Sequence, residues 1–445
     1  IFIFAAKKMR KMLLETDLIE RRRKIQKQMG EIGMEGCLLT MPLNLYYLCG
    51  SVFNGYYYLP TEGEPQMFVK RPSNFVGKSV HFIRKPEQIP DLLRERGGKS
   101  PEKLLLEGDE LTYNEHLRLQ HIFNLGKIGN ITPLICRMRM IKSPWEIQQM
   151  QHTAEKQVLV YSQIPECYRP GMTDLELQYE IEYRMRRNGS IGFFRTFGNH
   201  MEIFMGSVLA GKNAEVPSPF DFALGGAGMH PSSPLGANGT PLHRGTSVMI
   251  DMAGNYTAYQ TDMTRVYAVG KLPTEAYRAH EVSRYLHQEI MNIARPGMAC
   301  AEIYRKVEER VRQEGLEANF MGTCQQARFV GHGVGMQINE WPVLAPRSKE
   351  ILQPGMTFAL EPKFVIPSVG AVGVENTFLV TESGLKKLTS FPEETNNKTL
   401  PVSSVLHKIS PAFPILHSSW FRTFLVIFNQ SGIIRTYHCF RLGRY

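Results

Sequence analysis

At 445 residues the chain is longer than one ordinary core supports, so two domains are expected. A content of 43% hydrophobic and 21% charged residues is globular and excludes disordered and fibrous classes. The net charge of +10 sits at the ends, on Lys7, Lys8, Arg10 and Lys11 and on Lys398, Lys408, Arg422, Arg435, Arg441 and Arg444, with no acid within residues 1–11 or 396–445. Residues 12–395 are therefore neutral, which argues against a phosphate-binding face and a nucleic-acid partner. No apolar run reaches the roughly 18 residues of a membrane span, so no membrane partner is expected. The seven cysteines are scattered without a CxxC pair, which reads as reduced thiols in a cytoplasmic protein.

In chain order, IFIFAAKKMRKM places apolar residues before charges, the reverse of a secretory signal, and residues 1–11 are set apart as a leader. Residues 17–35 read as a helix with Ile25, Met29 and Ile32 on its apolar face. GCLLT, PQMFVK and KLLLEG then read as short strands, an α/β pattern over 12–142. Ser143-Pro144-Trp145-Glu146 is a helix start with proline in the first turn, and a domain boundary is expected there.

The second domain, 143–395, contains an internal repeat. Residues 169–189 (RPGMTDLELQYEIEYRMRRNG) and 295–315 (RPGMACAEIYRKVEERVRQEG) share nine identical positions. Each is a turn followed by an amphipathic helix, with Leu177, Ile181 and Met185 on one face and Ile303, Val307 and Val311 on the other. Thr173 and Glu176 have the spacing of a capping box. The matching length and start suggest a duplicated α/β half.

TSVMIDMAGNYTAYQTDMTRVYAVG reads as a strand, a turn at Gly254-Asn255 and a second strand, a hairpin able to set Asp251 beside Asp262. Two adjacent carboxylates repel unless a proton or a cation intervenes. FVGHGVGMQINEWP supplies His332 between glycines, which leave the imidazole accessible. FALEPKF and GVENTFLV embed Glu361 and Glu375 in apolar strand-like segments, where an unpaired carboxylate costs several kcal/mol. Four carboxylates and a neutral imidazole balance two divalent cations. Oxygen-rich ligation favours Mn²⁺, Co²⁺, Fe²⁺ or Zn²⁺, with Mn²⁺ first among them. Two such ions about 3.5–4 Å apart acidify a shared water and polarise a carbonyl, so a hydrolase acting on an amide bond is expected.

The motifs IDMAGNYTAYQTDMTR, GHGVGMQINEWP, FALEP and VGVENTFLVTESG, in that order, resemble the pita-bread metallopeptidases: methionine aminopeptidase, aminopeptidase P, prolidase and creatinase. The resemblance covers 143–390 and implies a pita-bread catalytic domain with pseudo-two-fold symmetry. It implies a smaller creatinase-type α/β domain over 12–142, used in homodimer contacts. It implies Asp251 on one metal, His332 and Glu361 on the other, and Asp262 and Glu375 bridging. Glu361 would be the general base, with His332 beside it in the catalytic set, and the substrate a small peptide of the Xaa-Pro type.

Three positions depart from the resembled pattern. Ser233 and Asn339 stand where the family's peptidases usually carry histidines, and Gly373 stands where proline-specific members tend to carry arginine. Serine and asparagine can donate hydrogen bonds but deliver no proton near pH 7, and His230 is close enough in sequence to substitute for Ser233. These departures keep two other readings open: the same metal core acting on a small non-peptide amide or by elimination, and a non-catalytic binding module. Residues 396–445, basic and aromatic without clear periodicity, are expected to lie outside the catalytic fold.

Overall fold

The first α/β region builds a six-stranded sheet in the order Val80–Phe82, Gln66–Arg71, Asn54–Pro60, Gly36–Leu39, Lys103–Leu106, Lys127–Asn130. The computed structural model describes residues 2–95, 99–198, 205–220, 222–395 and 399–400, with side chains from residue 13 onward. Cys37, Leu38 and Leu39 are buried on both faces of the central strand, as the apolar run GCLL requires. The helix expected over 17–35 spans Phe2–Glu31 and so includes most of the segment set apart as a leader. Ile25 and Met29 are buried as expected, whereas Ile32 lies beyond the helix end and is 53% exposed.

Arg21 on this helix ties the two regions together. It is buried and ion-paired with Asp17 and, at 3.4 Å, with Glu146. Its guanidinium donates to Tyr47 O at 2.9 Å and to Tyr259 Oη at 3.2 Å. Planar geometry with several donors suits arginine to such a junction.

The second region repeats one order of elements. A long helix (Pro144–Cys167) is followed by the first RPGM turn, the helix Asp174–Arg187 and three antiparallel strands, Gly206–Ala210, Ser247–Met252 and Thr264–Val269. A second long helix (Thr274–Ile293) is followed by the other RPGM turn, the helix Cys300–Gln313 and an antiparallel sheet. That sheet runs Glu340–Val343, Gly331–Gly333, Thr357–Leu360, Asn376–Thr381, Gly384–Lys387. Residues 173 and 299, equivalent in the repeat, each form a single β-bridge, to Pro241 and Ile351. The two helix starts differ, since Thr173 and Glu176 close a capping box while Ala299 has no side-chain cap. Ser143 and Glu146 make the same box at the head of the first long helix. Leu177, Ile181, Met185, Ile303, Val307 and Val311 are all buried.

Thr399–Leu400 adds a short parallel strand beside Ala268 and Val269, so catalytic-sheet pairing continues past residue 395. Residues 396–398 and 401–445 lie outside the described residues.

Candidate metal centre

The five expected side chains come from strand ends that meet at one place. Asp251 pairs with Thr264 across the hairpin of Ser247–Met252 and Thr264–Val269. Asp262 enters just before the second strand, where its backbone N–H donates to Thr377 Oγ1 at 2.7 Å. His332 pairs with Ala359 on one side and Val343 on the other. A Cβ on Gly331 would lie 2.1 Å from Ala359 O, and one on Gly333 2.1 Å from Trp341 O, so the strand seats His332 only because its flanks lack side chains. Leu360 pairs with Asn376, which brings the preceding Glu375 and the following Glu361 out of the same end of the sheet.

The resulting cluster is tight. His332 Nε2 is 3.3 Å from Glu361 Oε1 and 3.9 Å from Asp262 Oδ2. One ligand atom each of Asp262, His332 and Glu375 lie within 4.8 Å of one another. Thr264 Oγ1 donates to Glu375 Oε2 at 2.6 Å, while Glu375 Oε1 is buried without a hydrogen-bond partner. An orphaned buried carboxylate oxygen aimed into such a cluster fits a cation.

Sequence reasoning missed one member. Lys363, fully buried, sets its Nζ 2.7 Å from Glu361 Oε2, 2.8 Å from Asp251 Oδ2 and 3.1 Å from Glu375 Oε2. The available signal was a lysine in FALEPKFVI, since an ammonium in an apolar strand needs carboxylates around it. The charge balance drawn from four carboxylates alone omitted this cation.

The cluster's electrostatics show surplus negative charge even so. Burial, then the charge of Asp251, pushes the Asp262 carboxyl up to about 7. Burial and Asp262 push Glu375 well above the usual carboxylate range. Burial opposes ionisation of Glu361 too, but Lys363 and His332 overcome it and hold the carboxyl down to about 2. For His332 the desolvation cost is outweighed by its hydrogen bond to Glu361, and the imidazole rises to about 9. A divalent ion relieves both strained acids at once.

Asp251, Asp262, His332, Glu361 and Glu375 open onto a cavity of about 220 Å³, walled by Phe194, Phe197, Phe222, Phe329 and Trp341 among others. Its size and mixed lining suit a small ligand with few polar anchors. The expected substrate contacts fare differently. Asn339 lines the cavity, but its Oδ1 accepts from Phe197 N at 2.7 Å and its Nδ2 donates to Phe197 O at 3.1 Å, so the amide fastens a cavity wall. His230 and Ser233 are not among the residues that line this cavity. They bridge each other across a tight turn, and the exposed His230 ring pairs with Ser232 Oγ at 2.8 Å.

A two-domain chain whose second domain gathers four carboxylates and an imidazole around a cavity has the build of a metal-dependent hydrolase. The chain belongs to metallopeptidase family M24, whose model matches residues 148–382, and the creatinase/prolidase N-terminal domain model matches residues 21–141. Among curated proteins it is 27% identical over 382 residues to a Xaa-Pro dipeptidase of Pyrococcus furiosus, covering 84% of this chain and 99% of that protein. It is 24% identical over 384 residues to an uncharacterised peptidase of Bacillus subtilis, covering 83% and 98%. Among solved structures, the prolidase of Pyrococcus horikoshii superposes with a TM-score of 0.69 at 23% identity, covering 84% and 99%. A Xaa-Pro dipeptidase from Bacillus anthracis gives 0.70 at 22%, covering 85% and 99%. Both structural matches share the fold: a creatinase-type domain followed by a pita-bread domain. No helix among the described residues is long and apolar enough to cross a membrane.

Proposed function

We propose that this enzyme hydrolyses the first peptide bond of short Xaa-Pro peptides, as a dipeptidase or aminopeptidase, with Mn²⁺ as the favoured ion. One observation carries the reading: Asp262, His332 and Glu375 bring ligand atoms within 4.8 Å of one another at the wall of a small aromatic cavity, with Glu361 Oε1 3.3 Å from the His332 ring. The names of the relatives support the Xaa-Pro preference. A cytoplasmic homodimer is part of the same proposal, and the free cysteines among the described residues agree with a reducing compartment.

A divalent ion held by these side chains would polarise the scissile carbonyl and make its bound water acidic. Glu361 Oε1 faces the same side as His332 and receives the proton of the attacking water in this reading, later passing it to the leaving nitrogen. Lys363 fixes the other Glu361 oxygen and so orients the carboxylate. The phenylalanine walls exclude competing water and pack a proline ring.

The test is a dipeptide panel with added Mn²⁺ or Co²⁺. Xaa-Pro substrates should exceed their Xaa-Ala counterparts by about tenfold or more in kcat/KM. Absence of turnover on every member removes the peptidase assignment. A second reading, hydrolysis of a small non-peptide amide on the same core, is favoured by one feature: His332 is the only histidine among the described residues lining the cavity. A metabolite amide turned over faster than any dipeptide would decide for it.

A further inference from the structure

The carboxylate cluster presents two faces with different occupants. On one face, Asp251 Oδ2, Glu361 Oε2 and Glu375 Oε2 surround Lys363 Nζ at 2.8, 2.7 and 3.1 Å. An ammonium has three protons, and here three carboxylate oxygens accept them. On the other face lie Asp262 Oδ2, His332 Nε2, Glu361 Oε1 and the unpartnered Glu375 Oε1. Glu361 and Glu375 therefore each give one oxygen to the lysine and turn the other to the second face.

We propose that Lys363 is a built-in cation that replaces one of two metal ions, so that the enzyme is a single-ion hydrolase. An ion bonded to the same three oxygens would need the place that Nζ holds. The lysine is fixed there by its backbone. Lys363 O accepts from Met321 N at 2.9 Å, and Ser283 Oγ donates to the neighbouring Pro362 O at 2.6 Å. Across the hairpin Lys363 pairs with Gly373, where an added Cβ would lie 3.0 Å from Lys363 Cα and 2.8 Å from Pro362 O. Residue 373 must be small for the strand carrying the lysine to lie where it does. The remaining donors, Asp262, His332, Glu361 and Glu375, make one site of oxygen and imidazole ligands suited to a hard or borderline divalent ion.

The inference rests on the metal-dependent reading above, and metal counting separates the two. Full-length protein, stripped with chelator and reloaded with MnCl₂, is weighed by native mass spectrometry and its bound Mn²⁺ recorded by electron paramagnetic resonance. One ion per chain with the six-line spectrum of an isolated Mn²⁺ is expected. The K363G variant should take up a second equivalent, with loss of the six-line signal through coupling between neighbouring ions. Two ions on the unaltered chain, or one on a folded K363G chain, overturn the proposal while leaving the hydrolase reading in place. No ion on either chain overturns both. The count on the unaltered chain decides the matter even where K363G fails to fold.

Discussion

Lys363 Nζ lies 2.7 Å from Glu361 Oε2, two positions back in the link between the strands Thr357–Leu360 and Lys363–Ile366, and both side chains are buried. The pair is one edge of a cluster in which a single ammonium faces Asp251, Glu361 and Glu375 together. Removing one partner of a buried ion pair leaves the other charge uncompensated, at a cost of about 3–5 kcal/mol. Lys363→Met should therefore lower the melting temperature of chelator-treated protein, and added Mn²⁺ should recover part of the loss. An unchanged melting temperature would mean that the ammonium does not sit among the carboxylates.

Metal removal has its own signature. An ion that binds only the folded chain stabilises it by about 2.7 kcal/mol at 100 times its Kd. Chelator should abolish turnover and lower the melting temperature, and Mn²⁺ should restore both. His332→Ala should weaken ion binding by more than the roughly 10–100-fold typical of residues that merely orient ligands. Calorimetric titration gives the affinity; a His332→Ala chain binding Mn²⁺ as tightly as the parent would remove His332 from the ligand set.

Acid stability should depend on Glu340. Burial opposes its charge, but Arg139 and Lys142 prevail and hold the carboxyl down to about 2 against an ordinary value of 4.5. Lys142 Nζ lies 3.0 Å from Oε2, and Arg139 is ion-paired with Oε1. The folded-state pKa is depressed, so the unfolded chain binds the proton first as pH falls. The contribution is fully present above about pH 4.5 and disappears towards pH 2, on the order of 3 kcal/mol in all. Glu340→Gln should unfold more readily at pH 7 yet lose less further stability between pH 5 and pH 3. Parallel acid-unfolding curves for the two proteins would refute this account.

Asn339 should act on substrate binding through Phe197. With both ends of its amide bonded to the Phe197 backbone, Asn339→Ala should loosen the cavity wall and raise KM several-fold, about 1 kcal/mol per lost hydrogen bond, with a smaller change in kcat. Steady-state kinetics on the best dipeptide separate the two effects. A fall confined to kcat would instead place the side chain on the reacting atoms.

Much of the site was legible in the chain because its motifs are local. Asp251 and Asp262 flank one hairpin, His332 needs only its two glycines, and Glu361 and Glu375 stand at the ends of short apolar strands. The duplicated RPGM segments likewise announce themselves through period and spacing, and their buried faces follow from helical periodicity. That His230 and Ser233 lie off the cavity lining was not readable from the chain, because sequence proximity says nothing about which way a turn closes. The role of Asn339 was hidden for a similar reason, since its partner Phe197 lies 142 residues away.

The sequence by itself determined the donor types, their order and the two-domain plan, because these depend on side-chain chemistry and on periodicities of a few residues. Only the tertiary structure decided the charge of the centre. Lys363 is one more basic residue until folding brings Asp251, 112 positions away, against its ammonium. The number of cations a cluster can accept is set by which oxygens remain free in space, and that is a property of packing, not of spacing along the chain.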